Sequence, residues 1–459
     1  MWIPDLEMFS GPRYIAIADA LSLDIGRGTL TPGDRLPPQR ELAWALKVNF
    51  GTVTRAYELA AERGLVRGEI GRGTFVRNNP PSRRTPWPKE DRETDRIDMR
   101  SDFPCNLARD PAFKKGFRQL PTHPDFSGMF QYQPGTARQD DLDAAATWTS
   151  RLGMPARPEE VIITNGALHA GFLALMAVTR PGDTVLTETL TSPAIRSIAA
   201  MLHLRLTPVV SDGCGIDPDD LAAKLEAGPA AALYLVPDFQ NPTAAILPPD
   251  RRRRVADIID RTGICLVEDD VFGGLSRDLD IPSPHTGPIS ALVPERSFYV
   301  TSFSKIIAPG LRIGYLVAPE TLREKALTGL RISSWMASPP MAALVSGWIR
   351  DGNAERLLSL QAAELENRTR IAAAVLAAHR PGTHPRCPHV WLPLSRPTRE
   401  QTVVEELSCR GIDVTPGEYF GVRPGSHPAG LRLCLGQIDD LGTLYHACRA
   451  IAETIPPVI

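Results

Sequence analysis

Thr301-Ser302-Phe303-Ser304-Lys305, running on to Arg312-Ile313-Gly314, is the stretch around which the chain is organised. The apolar run before it, Ser297-Phe298-Tyr299-Val300, reads as a strand that empties into two hydroxyls and a lysine. An amine desolvated at the end of a buried strand becomes a better nucleophile. Ser302, Ser304 and Arg312 are what a phosphate oxyanion needs, hydroxyl donors beside a planar two-toothed cation. An imine-forming lysine among phosphate ligands suggests pyridoxal phosphate. A loop carrying a solvated lysine is the plain alternative, so the decision rests with the remainder of the chain.

At 459 residues the chain exceeds one ordinary core, and two or three domains are expected. Apolar and charged fractions of 43% and 23% are those of a soluble globular protein. The seven cysteines form no C-x-x-C pair and no cluster with histidine, which argues against a metal site or a disulfide framework and fits a reducing cytoplasm. Met1-Trp2-Ile3-Pro4-Asp5-Leu6-Glu7 has no basic segment leading into an apolar one, and no apolar run reaches membrane-spanning length. A cytoplasmic protein with no membrane partner is therefore expected. The net charge of −2 says nothing of nucleic acid, but the distribution of charge does.

Tyr14, Ile17, Ala18, Leu21 and Ile25 recur at helical spacing and give a first helix one apolar face. Pro37-Pro38 opens a second helix from Gln39 to Leu46, since proline suits a first turn. Asn49 is a good N-cap for a third, Phe50 to Arg63, with Val53, Ala56, Tyr57 and Ala60 inward. Gly64-Leu65-Val66 and Gly73-Thr74-Phe75-Val76 flank the turn Gly71-Arg72 and read as a hairpin. Three helices and a wing make a winged helix-turn-helix, expected over residues 1–76. Between Arg35 and Arg77 eight cations face four anions, an excess lying where DNA phosphates would be.

Leu36-Pro37-Pro38-Gln39-Arg40-Glu41-Leu42-Ala43, Thr52-Val53-Thr54-Arg55-Ala56-Tyr57 and Gly71-Arg72-Gly73-Thr74-Phe75-Val76 resemble the GntR-type DNA-binding domain. The ending Arg55-Ala56-Tyr57 is similar to its MocR branch. The resemblance implies double-stranded operator DNA as a partner, with Arg40, Asn49, Thr52 and Arg55 at the duplex and Arg72 at the wing tip. Phe50 stands where these proteins usually carry a base-reading arginine, and Gly51 where asparagine is common. Groove docking is thus expected, while Phe50 either meets a thymine methyl or simply packs.

Residues 77–97, with Pro80, Pro81, Pro86 and Pro88 among charges, read as a tether. It reaches up to about 60 Å if polyproline-like, with a merely disordered spacer as the alternative. From 98 to 459 the pattern becomes strands alternating with helices. Val161–Thr164, Thr184–Leu186, Arg205–Val210, Ala232–Val236, Ile264–Val267 and Ser297–Val300 are short apolar runs. Such strands imply an α/β body with a mainly parallel sheet under helices on both faces, its ligand at the carboxyl ends of the strands. Gly166-Ala167-Leu168 opens a helix whose free N–H groups suit phosphate, or is an ordinary strand-to-helix turn. Asn241 could donate to a phenolate oxygen, or serve only as a turn-forming Asn-Pro. A carboxylate of Glu268-Asp269-Asp270 could hold a protonated pyridine nitrogen. Arg432, in the late strand Gly430-Leu431-Arg432-Leu433-Cys434, suits a carboxylate.

Asn241, Asp269 and Lys305, in this order with Ser302, Ser304, Arg312 and Arg432, resemble the fold-type I aminotransferases. The resemblance implies pyridoxal 5′-phosphate as cofactor, Lys305 as the Schiff-base lysine, Asp269 at the ring nitrogen and Asn241 at the 3′ oxygen. It puts phosphate on Ala167, Leu168, Ser302, Ser304 and Arg312, and an effector or substrate carboxylate on Arg432. It divides the body into a large part to about 330 and a smaller, mobile α/β part over 331–459 that includes an alanine-rich helix from Gln361 to His379. Three departures stand out. Phe272 replaces the tyrosine that hydrogen-bonds the 3′ oxygen, so the imine should hold its proton to higher pH. Ser192, preceded by Leu190, stands where the ring-stacking aromatic belongs. Gln139-Asp140 replaces the usual Leu-Arg after the early glycine, Gly135.

A GntR-type winged helix, a tether and a fold-type I body in one chain is the arrangement of MocR-type regulators. What this implies is a pyridoxal-phosphate-dependent transcriptional regulator sensing an amino acid, an amine or pyridoxal phosphate itself by imine exchange at Lys305, as a head-to-tail homodimer. An aminotransferase carrying a DNA-binding appendage is the alternative, against which Phe272 and Ser192 argue.

Overall fold

The computed structural model describes residues 2–6, 12–27, 29–31, 33–62, 65–69, 73–76, 96–108, 110–133, 137–277, 287–395, 400–423, 427–438 and 440–456. They fall into two compact units, Met1–Lys89 and Glu90–Ile459. The tether expected over 77–97 lies almost wholly outside the described residues, as do Gly135 and the turn carrying Arg72.

In the first unit α1 (Arg13–Arg27), α2 (Gln39–Ala45) and α3 (Phe50–Glu62) precede a hairpin of β1 (Val66–Glu69) and β2 (Gly73–Val76). The two strands pair antiparallel, with Val66 opposite Val76. The residues whose spacing marks the helices also make the core: Ile17, Leu21, Leu42, Val53, Ala56, Tyr57 and Ala60 close on Val66 and Val76. Asn49 caps α3, its Oδ1 accepting the N–H of Gly51 at 3.0 Å. The buried Tyr57 hydroxyl donates to the carbonyl of Pro37 at 2.8 Å and ties α3 to the turn before α2.

The second unit is built on seven strands: β3 (Val161–Thr164), β4 (Thr184–Glu188), β5 (Arg205–Val209), β6 (Ala232–Leu235), β7 (Cys265–Asp269), β8 (Ser297–Ser302) and β9 (Gly314–Val317). Their spatial order is β3-β9-β8-β7-β6-β4-β5. Only β9 runs antiparallel to its neighbours, and the other pairings are parallel. Every residue of β3, β6, β8 and β9 is buried, as in a sheet covered on both faces. Ile163, Tyr299 and Tyr315 face one apolar cluster, while Ile162, Val300 and Leu316 face the other. Sequence reading stopped at Gly314 as the tail of a motif. In the structure Gly314 starts β9, because Arg312, at φ +50°, reverses the chain and sends it back between β3 and β8.

Toward the C-terminus β10 (His389–Pro393), β11 (Thr415–Pro416) and β12 (Gly430–Cys434) form a second, antiparallel sheet in the order β10-β12-β11. Leu376, Val390, Leu431, Leu444 and Ile451 make its core, which also takes in Met99. The alanine-rich helix spans Asn353–Val375 and is followed by a 3-10 turn at Ala377–His379. The preceding helix, Pro339–Arg350, buries Leu344, Val345, Trp348 and Ile349 in the cluster under the large sheet, so the core of the smaller part begins near Ala372. Among the described residues no helix is long and apolar enough to cross a membrane. All seven cysteines are unpaired.

Candidate functional site

The carboxyl ends of β3, β7 and β8 converge on one place, and β8 delivers most of it. Ser302, the last residue of β8, is fully buried and its Oγ has no hydrogen-bond partner. Ser304 Oγ accepts Nη1 of Arg312 at 3.1 Å, and Nη2 of the same arginine donates to the Asn165 carbonyl at 2.8 Å. That carbonyl sits just after β3, beside Gly166, whose φ of +82° starts the helix α4 (Ala167–Val178) with no side-chain cap. A Cβ on Gly314 would come 2.7 Å from the carbonyl carbon of Gly166 and 3.0 Å from the nitrogen of Ala167. Glycine at 314 lets β9 close against the start of α4, and Gly166 packs against the Arg312 guanidinium, so the free N–H groups of this helix terminus lie near that cation. This is an oxyanion cradle made of backbone, hydroxyl and guanidinium.

Lys305 follows the cradle. Its ammonium lies 3.3 Å from Asp102 Oδ2 and donates to the Asp102 carbonyl. At the end of β7 Asp269 accepts the hydroxyl of Tyr234, which rises from β6, through Oδ2, while Oδ1 is shielded and unpartnered. Burial raises the Asp269 carboxyl above its ordinary range, and the Tyr234 hydroxyl, the Val271 N–H and the Lys305 charge pull the other way. Phe272 is buried one turn further on, its ring 5.7 Å from that of His389.

Arg432, on β12, is buried, and its Nε has no hydrogen-bond partner. Its Nη1 donates to Asn241 Oδ1 at 2.9 Å, its Nη2 to the Arg100 carbonyl, and its guanidinium lies 4.8 Å from the centre of the Phe420 ring. Asn241 thus turns its oxygen to Arg432 and keeps its amide N–H groups for another acceptor. Ser192, where a stacking aromatic was sought, caps the helix Pro193–Met201 by accepting the Ala194 N–H at 3.3 Å. Leu190 packs instead with Trp391 and Phe420. Asp102, Tyr234, His389 and Phe420 belong to this site and were missed in the sequence, because none falls in a motif or at a strand end with its partners.

His389 is fully enclosed, its Nε2 3.1 Å from the Gln240 carbonyl. Burial drives its pKa from the ordinary 6.5 to about 4, against the pull of Asp102. The unfolded chain takes up a proton near pH 6.5 that the folded one refuses until about pH 4, so stability falls as pH drops through that window. The loss is on the order of 3 kcal/mol. His389→Gln, which keeps a donor for Gln240, should flatten the decline in melting temperature on acidification; equal slopes in both proteins would contradict this.

In the first unit Arg40, on α2, and Asn49 and Arg55, at and on α3, are exposed, while Thr52 is half-buried. Phe50 is 47% exposed with the Arg40 guanidinium 5.8 Å from its ring centre, and Trp44 is 85% exposed. Phe50 therefore does not simply pack.

Residues 13–76 match the family of bacterial regulatory proteins of the gntR type, and residues 94–451 match aminotransferase class I and II. The vitamin B6 salvage pathway transcriptional repressor PtsJ of Salmonella typhimurium is 30% identical, over 94% of this chain and 96% of its own. The chain belongs to the GntR family, in the MocR-type branch that carries a class I and II aminotransferase body. Another relative of this MocR-type chain is the pyridoxine biosynthesis transcriptional regulator PdxR of Corynebacterium glutamicum, 28% identical over 92% and 94% of the two chains. In fold, the body is like the α-aminoadipate aminotransferase LysN of Thermus thermophilus: TM-score 0.70 and 22% identity, covering 78% of this chain and 92% of that one.

The MocR-type body fits pyridoxal 5′-phosphate on its own chemistry. Two buried polar atoms, Ser302 Oγ and Asp269 Oδ1, lack partners, one at the anion cradle and one at a strand end. Such atoms are costly to leave unsatisfied, and a phosphate and a pyridinium N–H would satisfy them.

Proposed function

We propose that this chain is a transcription regulator that binds promoter DNA through residues 13–76 and takes its signal at the pyridoxal-phosphate site, where an amino acid, an amine or the cofactor itself is the effector. What carries this reading is the cradle of Ser302, Ser304, Arg312 and the α4 terminus beside Lys305, on one chain with a GntR-type module. That PtsJ is a vitamin B6 salvage pathway repressor and PdxR a pyridoxine biosynthesis regulator supports a signal tied to such compounds.

When bound, pyridoxal phosphate supplies an aldehyde that condenses with primary amines and a ring that draws electrons from them. Lys305 offers the amine that holds it. Ser302, Ser304, Arg312 and the N–H groups of Ala167 and Leu168 would hold the phosphate, Asp269 Oδ1 would accept from the ring nitrogen, and Asn241 would donate to the 3′ oxygen. Phe272 adds no second donor there. Arg432 would meet a carboxylate through its unpartnered Nε, and would grip it with two nitrogens only after giving up Asn241 or the Arg100 carbonyl. An effector then changes DNA affinity by as much as it distinguishes two states of the protein, typically 5–150-fold, or about 1–3 kcal/mol. The exposed Phe130, Tyr132, Ile332 and Trp335, with Tyr132 and Trp335 rings 5.0 Å apart, support a face covered by a second copy in a homodimer. A cytoplasmic location follows from the DNA partner.

Purified protein loaded with cofactor and mixed with amino acids or amines tests this. A change in cofactor absorbance with a change in promoter binding, and no product, supports the regulator; steady conversion of an amino acid with 2-oxoglutarate supports an aminotransferase instead. On the DNA side, Arg55→Ala should weaken promoter and random duplex alike and lower the slope of log affinity against log salt by about 1. An unchanged slope would remove Arg55 from the interface.

A further inference from the structure

Asp102 is the charge in the site that no role above uses. Its backbone is pinned on both sides. The Met99 carbonyl accepts the Cys434 N–H at 2.8 Å, and Gly436 lies so close to the Phe103 carbonyl that a Cβ there would stand 2.0 Å from it. The backbone that carries Asp102 is therefore held in place beside β12. The residue is 7% exposed, and neither carboxylate oxygen meets a donor in hydrogen-bonding geometry. What balances it is the Lys305 ammonium at 3.3 Å, with Arg432 as the further cation that acts on its charge. Burial opposes ionisation of Asp102, but these neighbours outweigh it and hold the carboxyl below its ordinary range.

We infer that Asp102 selects the charge of the effector, so that the site admits primary amines lacking an α-carboxylate and rejects α-amino acids. This rests on the reading that Lys305 marks the effector site. An amine reaches Lys305 as an ammonium, and Asp102 is placed to receive one at that point. An α-amino acid brings its carboxylate two bonds from the same nitrogen. Between Lys305 and Arg432 that carboxylate meets Asp102, and two like charges sharing a water-poor site disfavour each other. The cation that would compensate is largely committed, since Nη1 of Arg432 donates to Asn241 and Nη2 to the Arg100 carbonyl; only Nε is without a partner, and a single N–H cannot take both oxygens of a carboxylate. An amine without the carboxylate keeps the attraction and meets no repulsion.

Pentylamine and L-norleucine differ only by the carboxylate and serve as probes. Each is titrated into the cofactor-loaded full chain while cofactor absorbance and promoter binding are followed, and into the cofactor-free chain while melting temperature is followed. Half-saturation at least about tenfold lower for pentylamine is expected. Asp102→Asn, nearly the same shape without the charge, should narrow or invert that ratio. Equal or tighter binding of norleucine to the unmutated chain overturns the inference, and this comparison needs no variant to fold. So does an unchanged ratio in an Asp102→Asn chain whose circular dichroism matches the original. If neither compound perturbs a chain that retains its cofactor, the effector reading itself falls and the inference with it, whereas a preference for norleucine sinks the inference alone.

Discussion

Lys305→Ala protein, incubated with pyridoxal phosphate and freed of excess, is expected to stay colourless and to take up no label on borohydride reduction. Promoter binding should persist, but without any response to amines. The reasoning is positional. Lys305 is the amine that follows the cradle, its ammonium set beside a buried carboxylate rather than out in solvent. The Ser302, Ser304 and Arg312 cradle survives the substitution and still attracts phosphate, so loosely held cofactor that gel filtration removes is compatible with it. The winged helix draws its core from Ile17, Leu42, Val53 and Tyr57, far along the chain from position 305, and has no reason to unfold. A variant that keeps a reducible yellow chromophore would show that another lysine holds the cofactor.

Arg277→Met is expected to destabilise the second unit by roughly 3–5 kcal/mol, read as a lower denaturant midpoint with no change of slope. Arg277 donates to both oxygens of Asp270 at 2.7 Å and to Asp238 Oδ2 at 2.6 Å, while the Tyr299 hydroxyl donates to Asp270 Oδ2 at 2.6 Å. Both carboxylates are fully enclosed, and when Arg277 is gone Asp238 keeps one cation, Arg252 at 2.9 Å, beside the Ser276 hydroxyl. Asp270 would be left with a hydroxyl and no cation. Truncating one partner of a buried pair strands the other's charge, which is why the loss exceeds that of any surface pair. Because Asp270 adjoins Asp269, cofactor affinity should fall as well. A loss below about 1 kcal/mol would mean that water reaches the network and screens it.

Much of the body was legible in local pattern. The runs read at Val161–Thr164, Ala232–Val236 and Ser297–Val300 mark the buried strands β3, β6 and β8, because continuous apolar runs with β-branched and aromatic residues suit a sheet covered on both sides. Lys305, Asp269, Ser302 and Arg312 were legible because strand ends in such a sheet face the ligand. What stayed hidden depends on contacts between distant segments. Asp102 meets Lys305 across 203 residues, and the intervening chain offers no periodicity that would announce it. Tyr234 sits inside an apolar strand and reads as core until its hydroxyl is seen to reach Asp269. The resemblance to fold-type I aminotransferases makes Asn241 a cofactor ligand, yet half of its side chain serves Arg432, from a different sheet. Ser192 looked like a missing aromatic and proves to be a helix cap, a role that its neighbour Pro193 at the first helical position signals.

The measurement closest to the central claim is the affinity of the cofactor-loaded chain for its own promoter, taken by fluorescence anisotropy at fixed salt with and without saturating pentylamine, in parallel with Lys305→Ala. The account expects a shift of at least about fivefold in the unmutated protein and none in the variant. The same affinity with and without amine in the unmutated protein, while the cofactor spectrum changes, would show that the site and the winged helix are not coupled.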